Sequence, residues 1–277
     1  MSLRIGTNVA SLAAQHNLSK SNAQKLKAIK SLSSGNRITQ ASDDAAGFAI
    51  AENLRGQLKG LEQVKRNANS AVSLVQVAEG GLNEQNNILI RLRELGVQAA
   101  SDTVSEQERE FLQVEFSQLL EELDRIASST NYGSKKLLSG SGEEFEFHVG
   151  ANAGEENIIR YTLDADASSD SLGVSGLSVD DKDNALDSLE SIDEGLIKMA
   201  EMRSSFGAMQ SRLLHTSNHL DNQIENVAGA RSLIADADVA KETADLVQAD
   251  ILQSTGVAIL AQANNIPRHA ERLINML

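Results

Sequence analysis

Histidines and carboxylates are the side chains of this chain with the plainest capacity for chemistry. His215 and His219 stand four apart, the spacing that sets two imidazoles on one helix face and lets them share a zinc ion. A zinc site needs further ligands. No Glu directly follows His215, and no third ligand is identifiable in the sequence, so the pair reads as two solvated surface histidines. His16, His148 and His269 stand alone. Asp43 and Asp44 could supply half a metal site, but they precede a long apolar series, where adjacent acids cap a helix and favour its positive end. Nothing resembles a glycine-rich phosphate loop followed by Lys and Ser or Thr, or a nucleophile elbow. With 0 cysteines there is no thiolate. These patterns predict no catalytic residue, no cofactor and no metal, and hence no enzyme.

The remaining residues are arranged for packing. From Leu61 the small and apolar positions step by three and four through Val64, Ala68, Ala71, Val75, Ala78, Leu82, Gln85, Leu89, Leu92 and Gly96. That period belongs to a helix lying along other helices. Only Gln85 and Gly96 weaken the seam. A helix from about Asp44 to Ala99 would be on the order of 84 Å long at 1.5 Å per residue, which predicts a rod. Composition agrees: 1 Pro, 0 Trp and 3% aromatic residues suit thin seams between helices better than a compact enzyme core. The net charge of −14 argues against a nucleic-acid surface. No apolar run is long enough to span a bilayer. Met1-Ser2-Leu3-Arg4 leads into polar sequence, so no secretory signal peptide is expected.

In chain order, residues 1–34 read as a narrow amphipathic helix carrying Arg4, Lys20, Lys25, Lys27 and Lys30 and no acid. So lean a stripe cannot offset ~1–2 kcal/mol per residue of backbone entropy, so this arm is expected to be helical only when paired. Gly35 suits the left-handed position that ends it. Residues 36–41 form a connector, and Ser42 or Asp43 caps the long helix. Gly80-Gly81 sits mid-helix without a break in phase, which predicts close packing there. Ser105 to Glu108 has the spacing of a capping box, opening a second helix with Leu112, Phe116, Leu119, Leu123 and Ile126. The short turn predicts an antiparallel helical hairpin. From Tyr132 to about Asp183, alternating Phe145, Phe147, Val149 and Ile159, Tyr161, Leu163 predict an exposed β-hairpin and a solvated acidic loop. Helical period returns at Leu186 and holds to Ile234. Asp236-Ala237-Asp238 caps an Ala-rich, acidic last arm, which Pro267 is expected to interrupt. The fold class predicted is mainly α: a long helical rod or coiled-coil bundle, a small β-hairpin insert, and paired N- and C-terminal helices. Its divisions are 1–42, 43–183, 184–235 and 236–277.

The two ends and the seams resemble bacterial flagellins. Ile5-Gly6-Thr7-Asn8, Ser31 to Ile38, Asp43 to Ala51, Gln76 to Leu82, Arg91 to Leu95 and Glu122 to Ala127 match the N-terminal part. Ser232 to Asp238 and Leu260 to Pro267 match the C-terminal part. The resemblance implies a filament subunit of the bacterial flagellum, of a short form without extra outer domains, with terminal helices in an inner layer. It implies export as an unfolded chain through the flagellar type III apparatus and an export chaperone on the C-terminal arm. Filament cap and junction proteins are the implied partners beside other flagellin subunits, with an extracellular location in a filament, sheathed or unsheathed. Leu12, Leu26, Ile29, Leu32, Val247, Ile251 and Leu260 are expected to form the intersubunit and arm-to-arm seam. Arg91, Leu95 and Glu115 occupy the positions that innate-immune receptors contact in similar flagellins, with Ile90 where Gln is common. After Pro267 the tail is longer and more charged than is usual. A hook–filament junction protein of flagellin-like sequence is the alternative reading, and a coiled-coil adaptor a more distant one.

Overall fold

The computed structural model describes the backbone of residues 7–274 and the side chains of residues 7–265. Met1 to Gly6 lie outside the described residues, as do the side chains of Pro267 and His269. The helices are α1 (Val9–Ser34), α2 (Ala45–Ala99), α3 (Glu106–Ser129), a one-turn α4 (Ser169–Leu172), α5 (Lys182–Ala235) and α6 (Val239–Ile274). The strands are β1 (Asn131–Tyr132), β2 (Lys135–Lys136), β3 (Glu144–His148) and β4 (Ile158–Thr162). The chain divides into two compact units, one of Met1–Leu58 with Asn226–Leu277, the other of Lys59–Glu225.

In the second unit α2, α3 and α5 form an antiparallel bundle. Every position of the predicted α2 series from Leu61 to Gly96 is buried, because the three-four step keeps those side chains on one stripe. Along α5 the deepest positions fall at strict seven-residue intervals, namely Ile192, Met199, Phe206, Leu213 and Leu220. Phe116 and Leu123 of α3 close the same core. Ion pairs between helices run in opposing order: Lys65 meets Asp221, whereas Arg93 meets Asp193 at 2.7 Å and Arg91 meets Glu115 at 2.7 Å. Gly81 packs as expected, since a Cβ there would lie 2.8 Å from Leu138 Cδ1 and from Thr130 Oγ1. Gly80 faces open space instead.

The capping box is formed: Ser105 accepts from the Glu108 backbone, and the Glu108 carboxylate accepts from the Ser105 N–H at 2.8 Å. That backbone donor holds the Glu108 carboxyl below its ordinary range. The hairpin is antiparallel, with Phe145 opposite Tyr161 and Phe147 opposite Ile159. The region around it departs from the expectation of a solvated excursion. Leu137, Leu138, Leu163, Ala167, Leu172, Val174 and Val179 return into the bundle core. Isolated apolar residues in polar sequence carry no period, but they fill the groove that three helices leave open.

Arg109 is a buried cation in this unit. Its guanidinium donates to the Ala99 carbonyl at 2.8 Å and the Ser101 carbonyl at 3.1 Å, closing the C-terminal end of α2. A cation is favoured there by the orphan carbonyls and the helix dipole. Replacing Arg109 by Met keeps the stem and removes both donors. Urea unfolding of that variant is expected to show a loss of about 1.5–3 kcal/mol, with Arg109→Lys recovering part of it.

In the first unit Gly35 takes φ 70° and ends α1, as its position predicts. The caps of α2 and α6 are Asp44 and Asp238: Asp44 Oδ1 accepts from the Gly47 N–H, and Asp238 Oδ1 from the Ala240 and Lys241 N–H groups. Asp43 does not cap α2. Its Oδ2 closes the preceding turn by accepting from the Thr39 N–H, the Thr39 hydroxyl and the Gln40 N–H, and the Thr39 hydroxyl does most to lower its pKa. Pro267 does not interrupt α6, which runs through it to Ile274.

Candidate assembly interface

The two arms, α1 and α6, are antiparallel partners whose backbones approach within 8 Å along their length. Such an approach requires small side chains between them. On α1 the pairing stripe is Ser11, Ala14, Leu18, Ser21, Lys25 and Ala28, again in three-four steps, all buried or half-buried. On α6 it is Glu242, Leu246, Ala249, Gln253, Gly256, Leu260 and Ala263. Lys25 bridges the arms, donating to Asp250 at 2.6 Å and to Gln253 Oε1 at 3.2 Å. At the connector, the Arg37 N–H donates to the Ala235 carbonyl at 2.7 Å and the Ala237 N–H to the Gly35 carbonyl at 2.9 Å.

The structure divides the residues expected in the arm seam. Leu32 and Leu260 are half-buried on the pairing side. Leu12, Leu26, Ile29, Val247 and Ile251 are exposed, Leu26 at 59% and Ile251 at 59%, so they are not what holds α1 to α6. Their phase is the reason: they fall beside the three-four stripe that faces the partner arm. Val9, Val239, Leu252, Val257 and Ile259 share this exposure. The arms therefore pair through buried Ser and Ala with Leu18, Leu246 and Leu260 half-buried among them, and leave a substantial number of apolar side chains in solvent, a state that marks an interaction surface. The missed signal was the Ser/Ala/Gly series at heptad spacing.

Arg91 and Glu115 are paired on the surface of the second unit, Arg91 also reaching Glu94 at 2.9 Å, and the Glu115 bond chiefly raises the Arg91 pKa. Leu95, expected beside them at a receptor contact, is instead 0% exposed and belongs to the core. It falls on the inner stripe of α2, so it offers no surface to a partner. His215 and His219 are exposed. Among the described residues no three metal-ligating side chains cluster, and no helix is long and apolar enough to cross a membrane.

Long helices bundled in one unit, with ends that pair in another and carry outward apolar side chains, define a self-associating structural subunit. The comparisons give that class a family. The model of the bacterial flagellin N-terminal helical region matches residues 5–143, and that of the C-terminal helical region matches residues 189–277. A flagellin of Halalkalibacterium halodurans is 41% identical over 270 residues, covering 98% of this chain and 99% of that protein. The crystal structure of Bacillus cereus flagellin aligns with a TM-score of 0.50 at 29% identity, over 60% of this chain and 94% of that one. A chain described as a putative flagellar hook-associated protein of Vibrio parahaemolyticus aligns with a TM-score of 0.59 at 12% identity, over 70% and 99%, a likeness of fold alone. The chain belongs to the bacterial flagellin family, the structural subunits of the flagellar filament.

Proposed function

We propose that this chain is exported unfolded by the flagellar type III apparatus, its C-terminal arm masked beforehand by an export chaperone. It then adds beneath the filament cap to an extracellular filament that drives swimming. In this reading residues 1–42 and 236–277 form the inner layer and the bundle forms the outer one. Leu12, Leu26, Ile29, Val247 and Ile251 are the contacts to neighbouring copies. The observation that carries the reading is the outward set of those five side chains on arms that are already paired. Each is worth ~1.5–3 kcal/mol once fully buried. A subunit that offers different faces to successive neighbours makes contacts that do not close on themselves, and such contacts propagate a helix.

Seeding tests it. Purified chain added to short filament fragments is expected to lengthen them in negative-stain images. Chain that stays soluble beside competent seeds would overturn the reading. Arg91 and Glu115 remain the surface pair through which an innate-immune receptor would engage, without Leu95.

The arms have thinner seams than the bundle, so they open more readily. Limited proteolysis of the unassembled chain is expected to remove both arms first and leave a fragment of about residues 45–235. Arms as resistant as the bundle would contradict this.

A further inference from the structure

Two of the segments that carry the resemblance lie at opposite ends of the sequence. One is Thr7-Asn8 with Ser11; the other runs from Ala263 to Pro267. In the folded chain they form a single structure. Asn8 Oδ1 accepts from the Ser11 N–H at 3.1 Å and so caps α1, while Asn8 Nδ2 donates to the Ala263 carbonyl at 2.8 Å. The Ser11 hydroxyl donates to Asn264 Oδ1 at 2.9 Å. Ser11 and Ala263 are 8% and 4% exposed, while Asn8 is half-buried and Asn264 exposed, so these bonds are partly shielded from water.

The Ala263 carbonyl is available for a particular reason. In a regular helix it would accept from the N–H four residues on, and that residue is Pro267, which has none. A proline that fails to break α6 thus leaves one unfilled acceptor on its surface. The cap residue of α1 fills it.

We propose that Asn8 and Ser11, with Ala263 and Asn264, form a clasp that fixes the register in which the two arms pair. Its acceptor is the Ala263 carbonyl, which Pro267 leaves free by lacking an N–H. The fully buried residues of the seam are Ser and Ala, and only the half-buried Leu18, Leu246 and Leu260 give it shape against sliding by a turn. The connector bonds pin one end of the pair and the Lys25 bridge its middle, and the clasp pins the far end. Its value to a polymer rests on the self-assembly reading; the clasp itself does not.

The chain has 0 cysteines, so introduced thiols report without background. A Cβ at Gly256 would lie 3.9 Å from the Leu18 Cβ, within the range of a disulfide. The Leu18→Cys/Gly256→Cys pair in unassembled full-length chain, equilibrated in a glutathione buffer, measures how often the arms are in register. Asn8→Asp still caps α1 but loses the donor, and is expected to lower the effective concentration of the thiols about two- to tenfold, as loss of one hydrogen bond allows. Ser11→Ala, which leaves the cap in place, is expected to lower it in the same direction and decides the matter if Asn8→Asp melts α1. Pro267→Ala restores an intrahelical donor to Ala263. It is expected to raise helix content by circular dichroism and yet lower the thiol value, whereas a proline of merely local effect would raise both. Unchanged or higher thiol values in all three variants would overturn the clasp. Seeded growth without the thiols separates the two readings. Failure of the unsubstituted chain to elongate seeds refutes assembly, whereas elongation slowed by Asn8→Asp supports the clasp within it.

Discussion

Leu26→Asp is expected to abolish elongation of filament seeds while leaving the circular dichroism of the unassembled chain unchanged. Leu26 is 59% exposed on α1, and the neighbours on its own helix that face α6 are Lys25 and Ala28. An aspartate there is solvated in the free chain and costs the fold little, since surface changes away from special features stay within about 0.5 kcal/mol. In a polymer the same carboxylate would be enclosed against apolar neighbours without a partner, at a cost of several kcal/mol for each copy added. A growing end repeats that penalty at every step, so the effect is all-or-none. Leu260→Asp is the informative contrast, because Leu260 is half-buried against α1 and its loss should reduce arm pairing in the free chain too. Seeds that lengthen normally with Leu26→Asp would remove α1 from the intersubunit contact.

The second large effect comes from Gln85. The α2 seam predicts an apolar residue here, yet the position holds an amide that is 0% exposed. Its Nε2 donates to the Leu123 carbonyl at 3.0 Å and the Ala167 carbonyl at 2.9 Å, tying α2 to α3 and to the chain returning from the hairpin. Gln85→Glu changes almost no volume but turns two acceptors onto a buried carboxylate. Burial and those carbonyls both raise its folded pKa above the unfolded value of about 4.3. The sign follows. Below the unfolded pKa the introduced carboxyl is protonated in both states and the variant resembles the parent. As pH rises towards the folded pKa the unfolded chain alone ionises, and the deficit grows by about 1.4 kcal/mol per unit. Urea midpoints are expected to be close for parent and variant near about pH 4 and to diverge by several kcal/mol in ΔG at about pH 8. A variant as stable as the parent at every pH would mean that the introduced carboxylate is solvated and that the amide bonds of Gln85 are dispensable.

What was legible in the sequence follows from how each element is made. The α2 and α5 seams and the Ser105–Glu108 box announce themselves because large apolar residues and capping side chains recur at fixed offsets. The hairpin reads from alternation, although its loop carries a short 3₁₀ turn at Glu155–Asn157 that no signal marks. The arm seam was hidden by the opposite circumstance. Its buried residues are small and weakly hydrophobic, and the conspicuous leucines face away, so a search for apolar stripes finds the outer face. Gln85 looked like a flaw because a pattern of polarity cannot show two carbonyls waiting across the core. Arg109 had no signal at all, since its partners are backbone atoms at the end of another helix.

The hydrogen bond from Asn8 to Ala263 joins residues 255 apart in sequence. A ribosome or a channel that delivers the chain N-terminus first therefore releases α1 long before its intramolecular mate exists. Loop closure over so many residues adds little entropy beyond that of a shorter loop, so the delay is set by delivery and not by thermodynamics. Copies truncated before Ala263 lack the acceptor and leave the Asn8 amide without this partner.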